Sequence, residues 1–238
     1  MSIAGIVAAD QSIILRLNTL AGRYPHFDRA IELLSQNDLK DAIFVAMFWW
    51  FWFRRGDSLT VRQTREHLLC LLCAGTGAIV VARICALTLP FRVRPRFEPS
   101  LHFAVPAGAV SDLVDWSAFP SDHAALFAAF AVGIYFISRP AGLLAMLYSL
   151  LIICLPRIYL GLHYPSDILI GLLLGVAVAY AMDAEHIRHP LAGRLLKWER
   201  SSPRGFYTGL FMVSYEYSTM FSGLRAAASA AAHAAHVF

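Results

Sequence analysis

Apolar residues in this chain are gathered into long unbroken runs instead of alternating with polar ones. Five runs predict membrane-spanning helices, at 39–53, 67–89, 121–137, 141–159 and 167–182. The last four approach the ~20 residues that cross ~30 Å of hydrocarbon. The first, built on AIFVAMFWWFWF and stopped by Arg54 and Arg55, is short, and Trp49, Trp50 and Trp52 predict an interfacial aromatic belt for it. The second is interrupted by Arg83 and closed by Pro90, and the third is closed by Ser138, Arg139 and Pro140. Residues 1–38 carry an amphipathic pattern, clearest in FDRAIELL, which predicts a helix lying on the membrane surface. After Met182 basic residues return (Arg188, Arg194, Lys197, Arg200, Arg204), followed by an aromatic stretch centred on Glu216 and an Ala-rich end. The expected fold is therefore an all-α polytopic bundle of about five transmembrane helices. Its parts are an amphipathic segment at 1–38, the bundle at 39–183 and a tail at 184–238.

Composition excludes a soluble domain. Hydrophobic residues make up 58% of the chain and charged residues 15%, where soluble domains run nearer half and a quarter. The net charge is +4, and among 20 basic residues only Lys40 and Lys197 are lysines. An arginine excess suits an oxyanion site, because the planar guanidinium grips phosphate or carboxylate with two donors; arginine-rich codon usage is the plainer reading. The arginines are scattered between apolar runs and form no stripe, so nucleic acid is not an expected partner. Cys70 and Cys73 have CxxC spacing but sit in an apolar run with no second pair, and read as buried thiols. The N-terminus lacks a basic n-region and a long apolar h-region, so it does not read as a cleaved signal. Gly171 and Gly175 give the fifth run a small-xxx-small face, either for close helix packing or as ordinary glycine tolerance. Asp112 and Asp115 read as a solvated loop, and His233 and His236 as a frayed helix end.

Alternation of direction brings the end of the second run, the start of the third, the end of the fourth and the start of the fifth to one face. Polar residues collect at those four places, in PFRVRPRF (90–97), FPSDH (119–123) and PRIYLGLHYPSD (156–167). Pro120 and Pro165 stand where helices begin, so two helix N-termini aim free amides and positive dipole ends at that surface. Arg94 and Arg157 add bidentate cations, Ser121 a hydroxyl, His123 and His163 two imidazoles, and Asp167 a carboxylate able to orient one of them. An oxyanion pocket with two imidazoles and a carboxylate suits phosphoryl transfer, one His attacking phosphorus and the other protonating the leaving oxygen. No carboxylate or His cluster has metal-ligand spacing, so neither a metal nor another cofactor is expected.

Pro120-Ser121-Asp122-His123 followed by Arg157-x5-His163-x3-Asp167 resembles the type 2 phosphatidic acid phosphatases, the PAP2 superfamily, and Arg94-Pro95 matches the end of its first motif, K-x6-R-P. Chance occurrence of the second and third motifs in order is on the order of one in a thousand. The resemblance implies that His163 is a nucleophile forming a phosphohistidine, Asp167 its orienting partner and His123 the acid for the leaving group. It implies that Arg94, Ser121 and Arg157 hold the phosphate, joined by the backbone N–H of Asp122. Three positions depart from the pattern. The family Lys falls on Leu87, and Arg92 is the expected substitute in preference to Arg83, which lies one turn further back. The Gly of P-S-G-H is Asp122, which either points to solvent or pairs with an extra Arg. Pro156 replaces the Ser before the third-motif Arg.

Lys and Arg divide almost evenly between the two faces, so charge bias sets no orientation. The resemblance implies an integral protein of a bacterial inner membrane, its site on the outer face at headgroup level and its tail in the cytoplasm. Trp116 either lines a lipid entrance or belts the interface. The expected activity is hydrolysis of a lipid phosphomonoester or diphosphate, of polyprenyl diphosphate or phosphatidic acid type, within the bilayer. Two alternatives stand beside it: a phosphotransferase passing the phosphate to a lipid or sugar, and a non-enzymatic lipid-binding or transport protein that retains the fold. Oligomeric state is not legible.

Overall fold

Local signals set the ends of the helices. Asp57 caps the longest, its carboxylate accepting the Thr60 N–H at 2.9 Å, and that helix runs 31 residues until just before Pro90. The computed structural model of the protein describes residues 3–106, 114 and 116–223; Asp112, Asp115, His233 and His236 lie outside the described residues. In chain order the helices are α1 (Ile3–Asn18), α2 (Pro25–Gln36), α3 (Leu39–Trp52), α4 (Ser58–Thr88), α5 (Asp122–Ile137) and α6 (Arg139–Tyr148). A π-helical turn (Ser149–Cys154) carries α6 directly into α7 (Leu155–Tyr159), and α8 (Pro165–Asp183), α9 (Glu185–Ser201) and α10 (Pro203–Ser218) follow. No strand occurs among the described residues. The fold is an all-α membrane bundle.

Among the described residues three segments are long and apolar enough to cross a membrane: α4, the continuous stretch Arg139–Tyr159, and α8. The shorter α5, at 16 residues, is apolar on every side and buried from Ala124 through Ile134 without a break. Such a helix belongs at the centre, and α4, α6 and α8 pack around it.

Spacing of i, i+4, i+8 puts Phe44, Phe48 and Trp52 on one stripe of α3, buried with Phe127 and Phe130 of α5. This overturns part of the expected aromatic belt. Trp50 faces outward at 80% exposure, whereas Trp52 is fully buried, stacked on Phe206 at 5.7 Å and donating its indole N–H to Tyr207 at 3.2 Å. Residues beyond Met182 continue as α9 and α10, which place Ala192, Leu196, Phe206, Leu210 and Tyr217 in the same cluster. At the other end, α1 is tied to the loop after α4 by Asn18, which exchanges two hydrogen bonds with the Ala104 backbone at 2.7 and 2.9 Å. The α2 residue Asp28 accepts a bond from Tyr159 of α7.

Close approach of α5 and α8 depends on two glycines. A Cβ on Gly171 would stand 2.4 Å from the Ser121 carbonyl oxygen, and one on Gly175 would stand 2.1 Å from that of Ala125. Both distances are far inside van der Waals contact, so these positions require glycine for packing. The Ser121 N–H donates to the Asp167 carbonyl at 3.1 Å, which pins the two helix N-termini side by side.

Candidate active site

At that junction lies a cavity of about 270 Å³ lined by Arg83, Arg94, Trp116, Asp122, His123, Arg157 and His163. Three guanidinium groups face one carboxylate, an excess of positive charge that suits an anion.

His163, 2% exposed, sits in the turn between α7 and α8. Its Nδ1 is 2.7 Å from the Ala118 carbonyl. A carbonyl only accepts, so Nδ1 carries the proton and Nε2 keeps the lone pair. Nε2 lies 3.5 Å from the Arg94 guanidinium. Burial, and after it the charges of Arg94 and Arg157, hold this imidazole well below its usual range, so it is neutral at physiological pH. The Arg94 guanidinium donates to the Leu162 carbonyl at 2.7 Å and the Trp116 carbonyl at 3.2 Å. Burial pulls it down to about 10, and it stays cationic at neutral pH. Arg157, also buried, reaches the cavity from α7.

Asp167 differs from the expectation in its contacts. Its Oδ2 is 3.9 Å from Nδ1 of His163, beyond hydrogen-bond range, and accepts the Tyr164 N–H at 2.7 Å. Its other oxygen is held by Arg92. Asp167 thus fixes the turn that carries His163, while the Ala118 carbonyl orients the ring itself. Ser121 is fully buried as the α5 N-cap, accepting the Ala124 N–H at 3.4 Å, and is not among the lining residues.

The two extra arginines have exchanged places relative to the expectation. Arg92 is turned away from the cavity: it bonds Asp167, Ser166 at 2.8 Å and Asp10 of α1 at 2.7 Å, and lies 4.2 Å over the Tyr164 ring. Arg83 lines the cavity instead, bonded to Asp122 at 2.5 Å and stacked 4.7 Å from the centre of Trp116. Arg83 and Leu87 share one stripe of α4 at i, i+4 spacing. Leu87, at the end of the helix, is 81% exposed. The Arg83 bond settles the choice for Asp122 in favour of pairing with an arginine. Sequence reasoning missed Asp10 and the Ala118 carbonyl altogether, since a distant helix and a backbone oxygen carry no motif. Replacing Arg92 by Met leaves Asp10 and Asp167 buried without their shared cation and is expected to lower stability by about 2 kcal/mol. Thermal unfolding in detergent checks this, with Arg92→Lys recovering only part of the loss because an ammonium does not span both carboxylates.

Among the described residues no group of three or more His, Cys, Asp or Glu is placed to hold a metal ion. The cavity is a set of cations and imidazoles on the ends of apolar helices, a lining that suits an anion. Residues 66–184 match the PAP2 superfamily, and the chain belongs to that family. It is 28% identical over 118 residues to undecaprenyl-diphosphatase BcrC of Bacillus subtilis, which covers 50% of this chain and 57% of that one. It is 36% identical over 124 residues to decaprenylphosphoryl-5-phosphoribose phosphatase of Mycobacterium tuberculosis, covering 52% and 63%. The matches thus span less than two thirds of the length of either relative. The fold is similar to the crystal structure of a transmembrane PAP2-type phosphatidylglycerolphosphate phosphatase from Bacillus subtilis, with a TM-score of 0.50 and 17% identity over 74% of this chain and 84% of that one.

Proposed function

We propose that this protein is an integral membrane phosphatase that hydrolyses the phosphomonoester or diphosphate of a long-chain lipid through a phosphohistidine on Nε2 of His163. The carrying observation is the Nδ1–H bond from His163 to Ala118, which leaves a neutral Nε2 lone pair beside two buried arginines. Nε2 attacks phosphorus, and the P–O bond to the lipid breaks as His123 delivers a proton to the departing oxygen. Water, deprotonated by His123, then displaces His163 and releases inorganic phosphate. Arg94, Arg157 and Arg83 hold the oxygens whose charge grows in the transition state. Arg83 here takes the part of the first-motif cation, while Arg92 supports Asp167.

The substrate reading draws on the two relatives, both named for polyprenyl lipids, and on the rim of the cavity. Trp116, which lines the cavity, is 48% exposed, apolar surface that suits the headgroup level of a bilayer. An outward-facing site in a bacterial inner membrane follows from the family analogy. The donor set of guanidinium and imidazole supports a reaction that needs no metal.

The test is phosphate release by detergent-purified protein from undecaprenyl diphosphate, phosphatidic acid and phosphatidylglycerophosphate in EDTA, with rapid quenching to trap an acid-labile phosphoenzyme. Release that survives EDTA, with label on histidine, is the expected result. Label that appears in an added lipid or sugar alcohol identifies a phosphotransferase. No release and no labelling from any of the three overturns the proposal.

The pH profile has a definite sign. His163 acts unprotonated, and its depressed pKa keeps it so through pH 6.5, so the acid limb of kcat/KM lies well below that value. Arg94→Met removes one of the depressing charges, and the limb is expected to move up toward pH 6.5. Both profiles are taken with one substrate, so substrate ionisation cancels; an unmoved or lower limb contradicts the assignment.

A further inference from the structure

Asp122 puts a carboxylate into an anion cradle, where simple electrostatics disfavours it. Its contacts show what it does there. Oδ1 is 2.9 Å from Nδ1 of His123 and also accepts the His123 backbone N–H at 2.9 Å. Oδ2 accepts from Arg83 at 2.5 Å, and Arg83 is itself held against Trp116. Both carboxylate oxygens are thereby engaged, one from its own helix and one from α4. A carboxylate only accepts, so Nδ1 of His123 carries a proton and Nε2 is the nitrogen left for the cavity.

We propose that Asp122 is a positioning residue for the leaving-group acid, holding His123 in the tautomer and orientation that present Nε2 to the departing oxygen, with Arg83 holding its other carboxylate oxygen. This rests on the phosphatase reading above. His123 must carry an extra proton when the first step begins. Arg157, which lines the same cavity, adds positive charge that opposes that proton, and Asp122 supplies the counter-charge. In the step itself the His163 Nε2–P bond forms, the P–O bond breaks with its electron pair on the lipid oxygen, and the His123 Nε2 proton moves to that oxygen. His123 is left neutral, with Nδ1–H still on Asp122, ready to take the proton of the attacking water.

In kcat/KM, which covers only the steps through departure of the lipid oxygen and not the later attack of water, a residue that acts through the acid matters only where the leaving group needs a proton. An alkoxide does, and a nitrophenoxide does not. The experiment compares the wild type, Asp122→Asn and Asp122→Gly on two substrates: an alkyl lipid phosphate, and the phosphate ester of an alkyl-substituted nitrophenol. Both substrates are assayed on the same preparation of each protein, so partial misfolding cancels from the ratio of the two rates. The expected result is a loss in kcat/KM of about tenfold to a hundredfold on the alkyl ester and less than about threefold on the aryl ester, larger for Gly than for Asn. Equal losses on both esters, or none on either, overturn the inference and leave the phosphatase reading standing. No release by the wild type sinks that reading and this inference with it.

Discussion

His163→Ala is expected to lower phosphate release by at least about 10⁴-fold, since removal of a nucleophile leaves only binding and charge stabilisation behind. KM should change little, because the phosphate oxygens are held by the arginines and not by the imidazole. The substitution also strips the Ala118 carbonyl of its donor, at a cost of about 1–3 kcal/mol for a buried acceptor. His163→Asn separates the two effects: its side-chain amide can still donate to Ala118, so it should be as inactive as the alanine variant but more stable. Phosphate release and thermal unfolding of both variants in one detergent are the measurements. Activity within tenfold of wild type in either variant removes His163 from the nucleophile's role. Phosphoenzyme labelling gives a second reading, since His163→Ala should show none and His123→Ala, which lacks the acid and the base, should show slow formation and slow decay.

The second large effect comes from a glycine that touches no substrate. Gly171→Ala sets a methyl group 2.4 Å from the Ser121 carbonyl oxygen, and backbone on both sides allows relief only if α5 and α8 part by roughly 1 Å, at about 1–3 kcal/mol. Ser121 caps the helix that starts with Asp122 and His123, so the separation displaces the leaving-group acid from the nucleophile. A misplacement of that size costs on the order of 10²-fold in rate. Gly175→Ala meets the Ala125 carbonyl one turn deeper. It should destabilise comparably, with a smaller loss of activity per folded molecule. Gly193→Ala is the matched control: nothing lies within 4 Å of a Cβ built there, and it should be neutral or slightly stabilising. Specific activity and midpoint of thermal unfolding, taken on the three variants together, check the series. Equal specific activity of Gly171→Ala and wild type contradicts the mechanical link between this packing and the acid.

The parts legible in the sequence share one property: each is fixed by local pattern or by direction alone. Long apolar runs give helices, and alternation of direction collects Arg94, His123, Arg157 and His163 at one end without any knowledge of distances. The parts that were not legible depend on side-chain reach in three dimensions. Arg92 is nearer in sequence to the first motif than Arg83, yet Asp10 and Asp167 claim it, and nothing in a one-dimensional pattern announces that α1 brings a carboxylate to α8. Trp52 looks like its neighbours in a tryptophan-rich run, but its stripe on α3 is settled by the return of α10. The carbonyl of Ala118 belongs to no residue-type signature at all.

The π turn at Ser149–Cys154 bears on how such chains are compared with one another. Its wider winding takes in one more residue than an α-turn covering the same rise, and Pro156, two residues past its end, is unable to donate a backbone bond that would tighten it. Deleting a single residue there would leave a segment still apolar and still long enough to cross the hydrocarbon, so a hydropathy plot would register no change. It would also turn everything downstream by about 100°, which swings Arg157 off the cavity while the Arg157-x5-His163-x3-Asp167 spacing stays unchanged. A relative wound as plain α-helix through this stretch would reach the same guanidinium position one residue sooner. The single gap needed to align the two would then mark a change of winding and not a loss of function.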